Sequence, residues 1–428
     1  MNRAALLAML VACTSSKPLP SLDADNAVPP SDPLYEGQYR FLYDTWGTEV
    51  LGEWPPADFM LNLMTSEPDV FGDQYSQFGF IPDPNDDFPV GFKPGISDST
   101  LVHETCAMCH TSLLPDGRLW MGAPNEHLDV GRFTVEVNKR WVAAGNAPLL
   151  TDLGATKALA LGPGRFDAES GDYPMAVPAD FPPYFTLGER TATNYLGTGR
   201  NVRTEAFLSI YTFGAGAPEP SNAIVPFPDD DRVTSFLDFF GQFQPPVNPN
   251  VDTAMAAAGA TVFQNAGCGS CHHPADVSMD GIVTVAPMGT AEEMPNVDAT
   301  YPRGTIATDP LHRVLIDGDG SGSGSGVDQG YHDLLEFISD EMLNVRQTDG
   351  YRVSDLRGLW ATAPYLHDGS VETLDVLLTP AANRPTSWVH DGFTIDTTVQ
   401  GNGAQGHEFG TTLSQTDKAA LIAYLNSL

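Results

Sequence analysis

Two short runs, Cys106-Ala-Met-Cys109-His110 and Cys268-Gly-Ser-Cys271-His272, constrain this chain more than any other feature. There are five cysteines in 428 residues, and four of them fall in these runs. Chance would supply only about 0.001 such runs at these cysteine and histidine frequencies. Two thiols three positions apart on a helical turn reach the two vinyl groups of one haem, and the adjacent imidazole then points at the iron. A zinc site would set its two Cys-x-x-Cys halves about 15–20 residues apart, and these lie much further apart. A thioredoxin-like pair would sit in a strand–helix–strand setting, which neither flank resembles. The spacing therefore predicts two covalently bound haem c groups. Cys106, Cys109, Cys268 and Cys271 carry them, and His110 and His272 are the proximal iron ligands.

The fifth cysteine, Cys13, follows Leu10-Val11-Ala12 behind a short positive start and an apolar run. That is an export signal, and its end resembles a bacterial lipobox, in which the cysteine is acylated. Residues 1–13 are thus expected to be a lipoprotein-type signal, and 14–33 a polar, proline-rich linker. The expected location is the periplasm or outer membrane of a Gram-negative bacterium. Contact with the membrane would be through a lipid anchor alone, since no other segment approaches the roughly 18 apolar residues needed to span a bilayer. Acids outnumber bases 55 to 21, a formal net charge of −34. Such a surface repels nucleic acid and suits a basic protein partner; adaptation to salty surroundings is the competing reading.

Apolar and aromatic residues at helical spacing over 35–64 (Tyr35, Tyr39, Leu42, Trp46, Val50) predict an opening helix. Residues 145–230 read as loops dense in Gly, Pro and aromatics. A helix is expected over Val233 to Phe243, broken by Gln244-Pro245-Pro246-Val247-Asn248-Pro249, the best domain boundary. Asp252 caps an Ala-rich helix through Asn265 that leads into Cys268. Ser414 to Asp417 is a capping box for a closing helix through Leu425. The expected fold is mainly α: two cytochrome c-like haem domains, 34–245 and 250–428, with long inserted loops. Asp317 and Asp319, in a Gly/Ser-rich loop, are candidate calcium ligands without the EF-hand pattern.

Leu356-Arg-Gly-Leu-Trp-Ala-Thr-Ala-Pro-Tyr-Leu-His367-Asp-Gly-Ser-Val-Glu-Thr-Leu374 resembles the signature of bacterial di-haem cytochrome c peroxidases and their relatives. Arg384-Pro385, Gly401-Asn402-Gly403 and Gly406-His407-Glu408-Phe409-Gly410 are similar to one branch, the di-haem proteins resembling rubber oxygenase. The resemblance implies an exported haem-dependent oxidoreductase, peroxidase-like, with a catalytic first haem and an electron-relay second haem. Its electron donor would be a small redox protein, a cytochrome c or a cupredoxin, and its substrate peroxide. The alternatives are an oxygenase using dioxygen on an organic molecule, and a non-enzymatic electron-transfer cytochrome. In the peroxidases a Met past the signature caps the second haem, and residues 373–388 here contain none. Imidazole in place of thioether lowers a haem's potential.

His407, in a Gly-flanked turn, is the favoured sixth ligand of the second haem, and His367 is the alternative; its ring could instead hold the signature turn together. Met342 reads as core. For the first haem, His127 is a candidate displaceable distal ligand, with a plain surface histidine as the competing reading, and Asn125 is a candidate hydrogen-bond donor to bound oxygen. Glu205, in a segment weakly similar to the one that supplies the peroxidases' distal acid, is the candidate proton-transfer group, with an ordinary surface glutamate as the competing reading. Trp120, Trp141 and Trp360 are candidate bridges between the haems, or core.

Overall fold

The structure is a computed structural model that describes residues 22–45, 54–96, 98–166, 176, 178–190, 195, 230–272, 282–284, 350–399 and 401–428. Cys13, Glu205, Asp317, Asp319 and Met342 lie outside the described residues.

The first helix, α1 (Tyr35–Tyr43), turns Phe41 and Leu42 inward. The ring of Phe41 meets those of Phe239, Phe240 and Phe243, with centroids 5.2–5.7 Å apart. These partners sit on or just after α6 (Asp230–Phe240), so a helix from far along the chain packs on α1. Glycine is needed at 37 for this approach, because a Cβ there would lie 2.0 Å from the Ser235 carbonyl oxygen.

The single helix expected over 35–64 is instead two. α1 ends at Tyr43, and α2 (Ala57–Ser66) starts behind Pro55-Pro56. Proline has no N–H to continue a helix but is at home where one begins. After α3 (Pro68–Phe71), an aromatic cluster of Phe71, Tyr75, Phe78, Phe80 and Phe92 closes around Phe133 of α4 (Val130–Ala143). α5 (Asp152–Leu161), capped by Thr151, lies inside the stretch read as loops. Its core Ala-Thr-Lys-Ala-Leu-Ala-Leu has high helix propensity, which outweighs the surrounding glycine and proline.

The expected helix over Val233 to Phe243 begins and ends three residues earlier, as α6, with Gly241 in the turn that follows it. Beyond the proline-rich joint, α7 (Thr253–Asn265) is capped by Asp252, whose carboxylate accepts from the Ala254 and Met255 N–H groups. The short α8 (Leu374–Leu377) precedes α9 (Gln415–Leu425), capped by Ser414. α9 crosses α7 at Gly259, and Phe263, Leu421 and Leu425 fill the core between them.

Among the described residues, five short antiparallel pairs run between the helices: β1 (Phe92–Pro94) with β2 (Val102–Glu104), β3 (Thr111–Leu113) with β4 (Leu119–Met121), β5 (Arg165–Phe166) with β6 (Ala179–Asp180), β7 (Ile282–Thr284) with β8 (Gly350–Arg352), and β9 (Ser387–His390) with β10 (Phe393–Asp396). Among the described residues no helix is long and apolar enough to cross a membrane.

Candidate haem sites

The first Cys-x-x-Cys-His run folds as a tight turn. The His110 N–H donates to the Cys106 carbonyl, and the Thr105 N–H donates to Gly91 at 2.7 Å. Gly91 has φ +74°, and a Cβ there would sit 2.0 Å from the Met108 nitrogen, so the turn depends on glycine beneath it. The loop after β4 returns to the turn: Gly122 N–H donates to the His110 carbonyl and Asn125 N–H to the Cys109 carbonyl.

The His110 ring is buried and stacks on Tyr184 at 3.6 Å between centroids, with Phe181 edge-on at 6.4 Å. Burial pushes its pKa down to about 3, against the pull of the Pro182 carbonyl, so the imidazole is neutral and keeps a lone pair. Burial also pushes the Cys106 thiol up to about 12 and raises Cys109. Thiols of this kind are poor nucleophiles, unlike the acidified pair of a thiol–disulfide enzyme. All four cysteines of the two runs are free of disulfides.

In the second run, the His272 N–H donates to the Cys268 carbonyl at 2.9 Å, and the ring Nδ1 hydrogen-bonds the Ser354 carbonyl at 3.1 Å. A carbonyl partner fixes the proton on Nδ1 and leaves the Nε2 lone pair for a metal. The ring of His407 faces it, with centroids 6.3 Å apart. Metal–imidazole bonds are about 2.0–2.1 Å, and a ring centre lies about 1.2 Å behind its ligating atom, so two imidazoles on one metal stand at most about 6.4 Å apart, the value reached when the metal lies directly between them. The observed spacing fits a haem iron held between them.

His407 itself is in the left-handed region (φ +51°), between Gly406 and Gly410, which are also at positive φ. It is half-buried, its Nδ1 is shielded from solvent with no hydrogen-bond partner, and desolvation pushes its pKa down to about 4. Arg384 holds this turn in place. Its Nε donates to Thr379, its Nη1 to Ala404 and Gly406, and its Nη2 to Leu377 and His407, so its five N–H bonds serve five backbone carbonyls. The sequence marked Arg384 only as part of a resemblance, and nothing local announces this role.

The other candidates are spread out. Asn125 is buried, but its amide donates to the Gly79 and Met108 carbonyls, a use that shapes the loop. His127 is half exposed and pairs with Asp391 at 2.6 Å. His367 is buried near Tyr195, and its carbonyl accepts from the Asp180 N–H. Trp120 and Trp360 donate to the Gln244 and Pro246 carbonyls at the proline joint, with the Arg118 guanidinium over both rings. Trp141 packs edge-on against Phe59.

The structure adds a cluster that the sequence did not reveal. Glu126, Arg165 and Asp180 are buried beside Asp368 and Asn402 from the second half. Burial first, then the charge of Asp180, holds the Glu126 carboxyl well above its ordinary range; burial does the same for Asp180. Burial pushes Asp368 up to about 7. Facing buried carboxyls titrate as a pair and keep a proton between them when charge cannot be solvated. Each residue is ordinary in sequence, and only the fold makes them a group.

With the geometry in place, residues 350–389 match the family described as RoxA-like, cytochrome c-like. The stretch runs from β8 through the signature to β9, and over it the chain is similar to a cytochrome c-like domain. Together with the two attachment runs, the match gives the chain a likeness, over this stretch, to the di-haem cytochrome c proteins of the rubber oxygenase-like branch.

Two relatives from Sinorhizobium fredii (strain NBRC 101917 / NGR234) are similar to it. The uncharacterized protein y4iJ is 38% identical over 121 residues, covering 21% of this chain and 20% of that one. The uncharacterized protein y4iM is 26% identical over 248 residues, covering 53% and 50%. The chain thus spans half or less of the curated relatives it matches. A crystal structure of a MauG-like protein associated with microbial copper homeostasis overlaps 63% of this chain and 79% of that one, at 17% identity and a TM-score of 0.32.

Proposed function

We propose that this is an exported di-haem c-type cytochrome in which the two irons have different tasks. A haem on Cys268 and Cys271 would be held by His272 and His407 and would relay electrons. The haem on Cys106 and Cys109, with His110 as proximal ligand, is the reactive one. The observation that carries this reading is the 6.3 Å spacing of the His272 and His407 rings, which matches two imidazoles sharing one metal. Around His110 the described ring neighbours are Tyr184 and Phe181, not a second imidazole.

Bound haem supplies an iron that exchanges electrons with peroxide or dioxygen. The chain's own residues do the rest. Ser354 fixes the His272 tautomer, Arg384 holds the His407 turn, and Tyr184 and Phe181 keep water from the His110 ring. Glu126 and Asp180, on the loop and strand beside the first attachment turn, store a proton in a buried setting. Proton delivery is what O–O bond cleavage demands.

Peroxide reduction, with electrons from a small cytochrome c or cupredoxin, is the first reading of the reaction. Oxygenation of an organic substrate is the second, and the RoxA-like match at 350–389 favours it. The anionic surface suits a basic donor protein, and Cys13 would tether the chain to a membrane through lipid.

The test is the absorption and EPR spectrum of the oxidised protein. The wild type should show one low-spin and one high-spin haem, and His407→Ala should turn the low-spin haem high-spin. An unchanged spectrum would reject His407 as a ligand. Two low-spin haems inert to peroxide and oxygen would remove both enzyme readings. Turnover of peroxide with a reduced cytochrome, against oxygen uptake with an apolar organic substrate, separates the two reactions.

A further inference from the structure

We propose a divalent-metal site, suited to zinc, on the surface between the loop that follows β4 and the β9–β10 hairpin. His127 comes from the loop, and His390 and Asp391 come from the end of β9 and the hairpin turn. One ligand atom from each lies within 4.8 Å of those of the other two. The His127 Nδ1 is 2.6 Å from the Asp391 carboxylate, and the two imidazole rings lie 6.0 Å apart at 21° to one another. Two imidazoles and a carboxylate are a donor set that zinc accepts, with a fourth position left for water.

Two features of the surroundings support a built site. The His390 Nε2 donates to the Glu126 carbonyl at 2.7 Å, which leaves the lone pair on Nδ1 and fixes the ring. Metal-bound histidines characteristically have such a partner on the other nitrogen. The hairpin turn holds Asp391 at φ +46° and Gly392 at φ +83°, the conformation of a two-residue turn that Asp-Gly favours. It sets the Asp391 carboxylate directly against His127. Tetrahedral zinc holds its donors about 3.3 Å apart, so bringing the three onto one ion requires side-chain shifts of up to about 1.5 Å. Zinc would take the place of the proton in the His127–Asp391 hydrogen bond, and that proton would pass to the exposed Nε2 or to water.

The ion would clamp the loop carrying Asn125 and Glu126 to the hairpin beside the signature turn. It would also occupy the His127 lone pair, so metal binding here and iron ligation by His127 exclude one another. The site is independent of which reaction the haems perform.

The test uses the haem-loaded protein, stripped with a chelator and titrated with zinc chloride by calorimetry, with retained metal measured after gel filtration. The wild type should take up one equivalent. Asp391→Asn, which tolerates the turn conformation, should weaken uptake by at least about tenfold, and His127→Gln should do the same. Haem absorption serves as the check that each variant is folded. A wild type that retains no zinc overturns the proposal. So does Asp391→Asn or His127→Gln binding zinc as the wild type does, because the ion then lies elsewhere.

Discussion

Replacing Gly259 by alanine tests how the second haem turn is held. The new Cβ would lie 1.9 Å from the Ala420 carbonyl oxygen, 2.6 Å from its carbon and 2.7 Å from the Tyr424 Cβ. Two of these are backbone atoms, so no rotamer change relieves the contact, and α7 and α9 must part by about 1 Å to restore packing distances. Overpacking of this kind costs about 1–3 kcal/mol, and a backbone clash belongs at the upper end. Helix propensity acts in the opposite direction, since alanine exceeds glycine by about 1 kcal/mol in a helix interior. The net loss is about 1–2 kcal/mol, which lowers Tm by roughly 2–8 °C in a domain of this size. Thermal melts by far-UV circular dichroism measure it, with Ala258→Gly on the exposed face of α7 as the propensity control. Because α7 runs into Cys268, the spread should also disturb the second haem's absorption. A Gly259→Ala protein as stable as the wild type, or more stable, would show that propensity prevails and that the helices do not approach this closely.

Arg384→Lys keeps the charge but offers three donors where five carbonyls are served, leaving at least two of them short. Each buried orphan costs about 1–3 kcal/mol, so the variant should lose about 2 kcal/mol or more and show a mixed-spin second haem. A fully low-spin spectrum would mean that the His407 turn stands without the guanidinium. A second prediction concerns pH. Burial raises the Glu104 carboxyl above its ordinary range, against the Trp54 indole N–H that donates to it at 2.5 Å. The folded state therefore holds this proton after the unfolded chain has lost it, so its contribution to stability declines as pH rises from the ordinary carboxylate range upward. Glu104→Gln removes that loss, and its Tm relative to the wild type should climb between pH 4 and 8; a difference constant with pH would refute the assignment.

Much of the local structure was legible in the chain itself. The attachment runs stand out by composition, and Asp252 and Ser414 cap α7 and α9 where capping residues and helical periodicity predict. These signals sit within a few residues of the structure they specify. The opening stretch misled because its apolar spacing continues past Pro55 and Pro56, and local helix-breaking prevails over periodicity. Asp391-Gly392 is the kind of dipeptide that a two-residue hairpin favours, although nothing in it points to His127.

What the sequence alone determined is the chemistry: four cysteines and two histidines whose spacing admits haem c. Only the tertiary structure decided how other residues serve that chemistry. It set His407 across from His272, gave Arg384 its five carbonyls, and buried Glu126 and Asp180 together with Arg165. The physical reason is distance along the chain. His272 and His407, or Glu126 and Asp368, are far apart in sequence, and each residue type is at home in water. Their unusual states come from desolvation and convergence, which exist only once the core has closed around them.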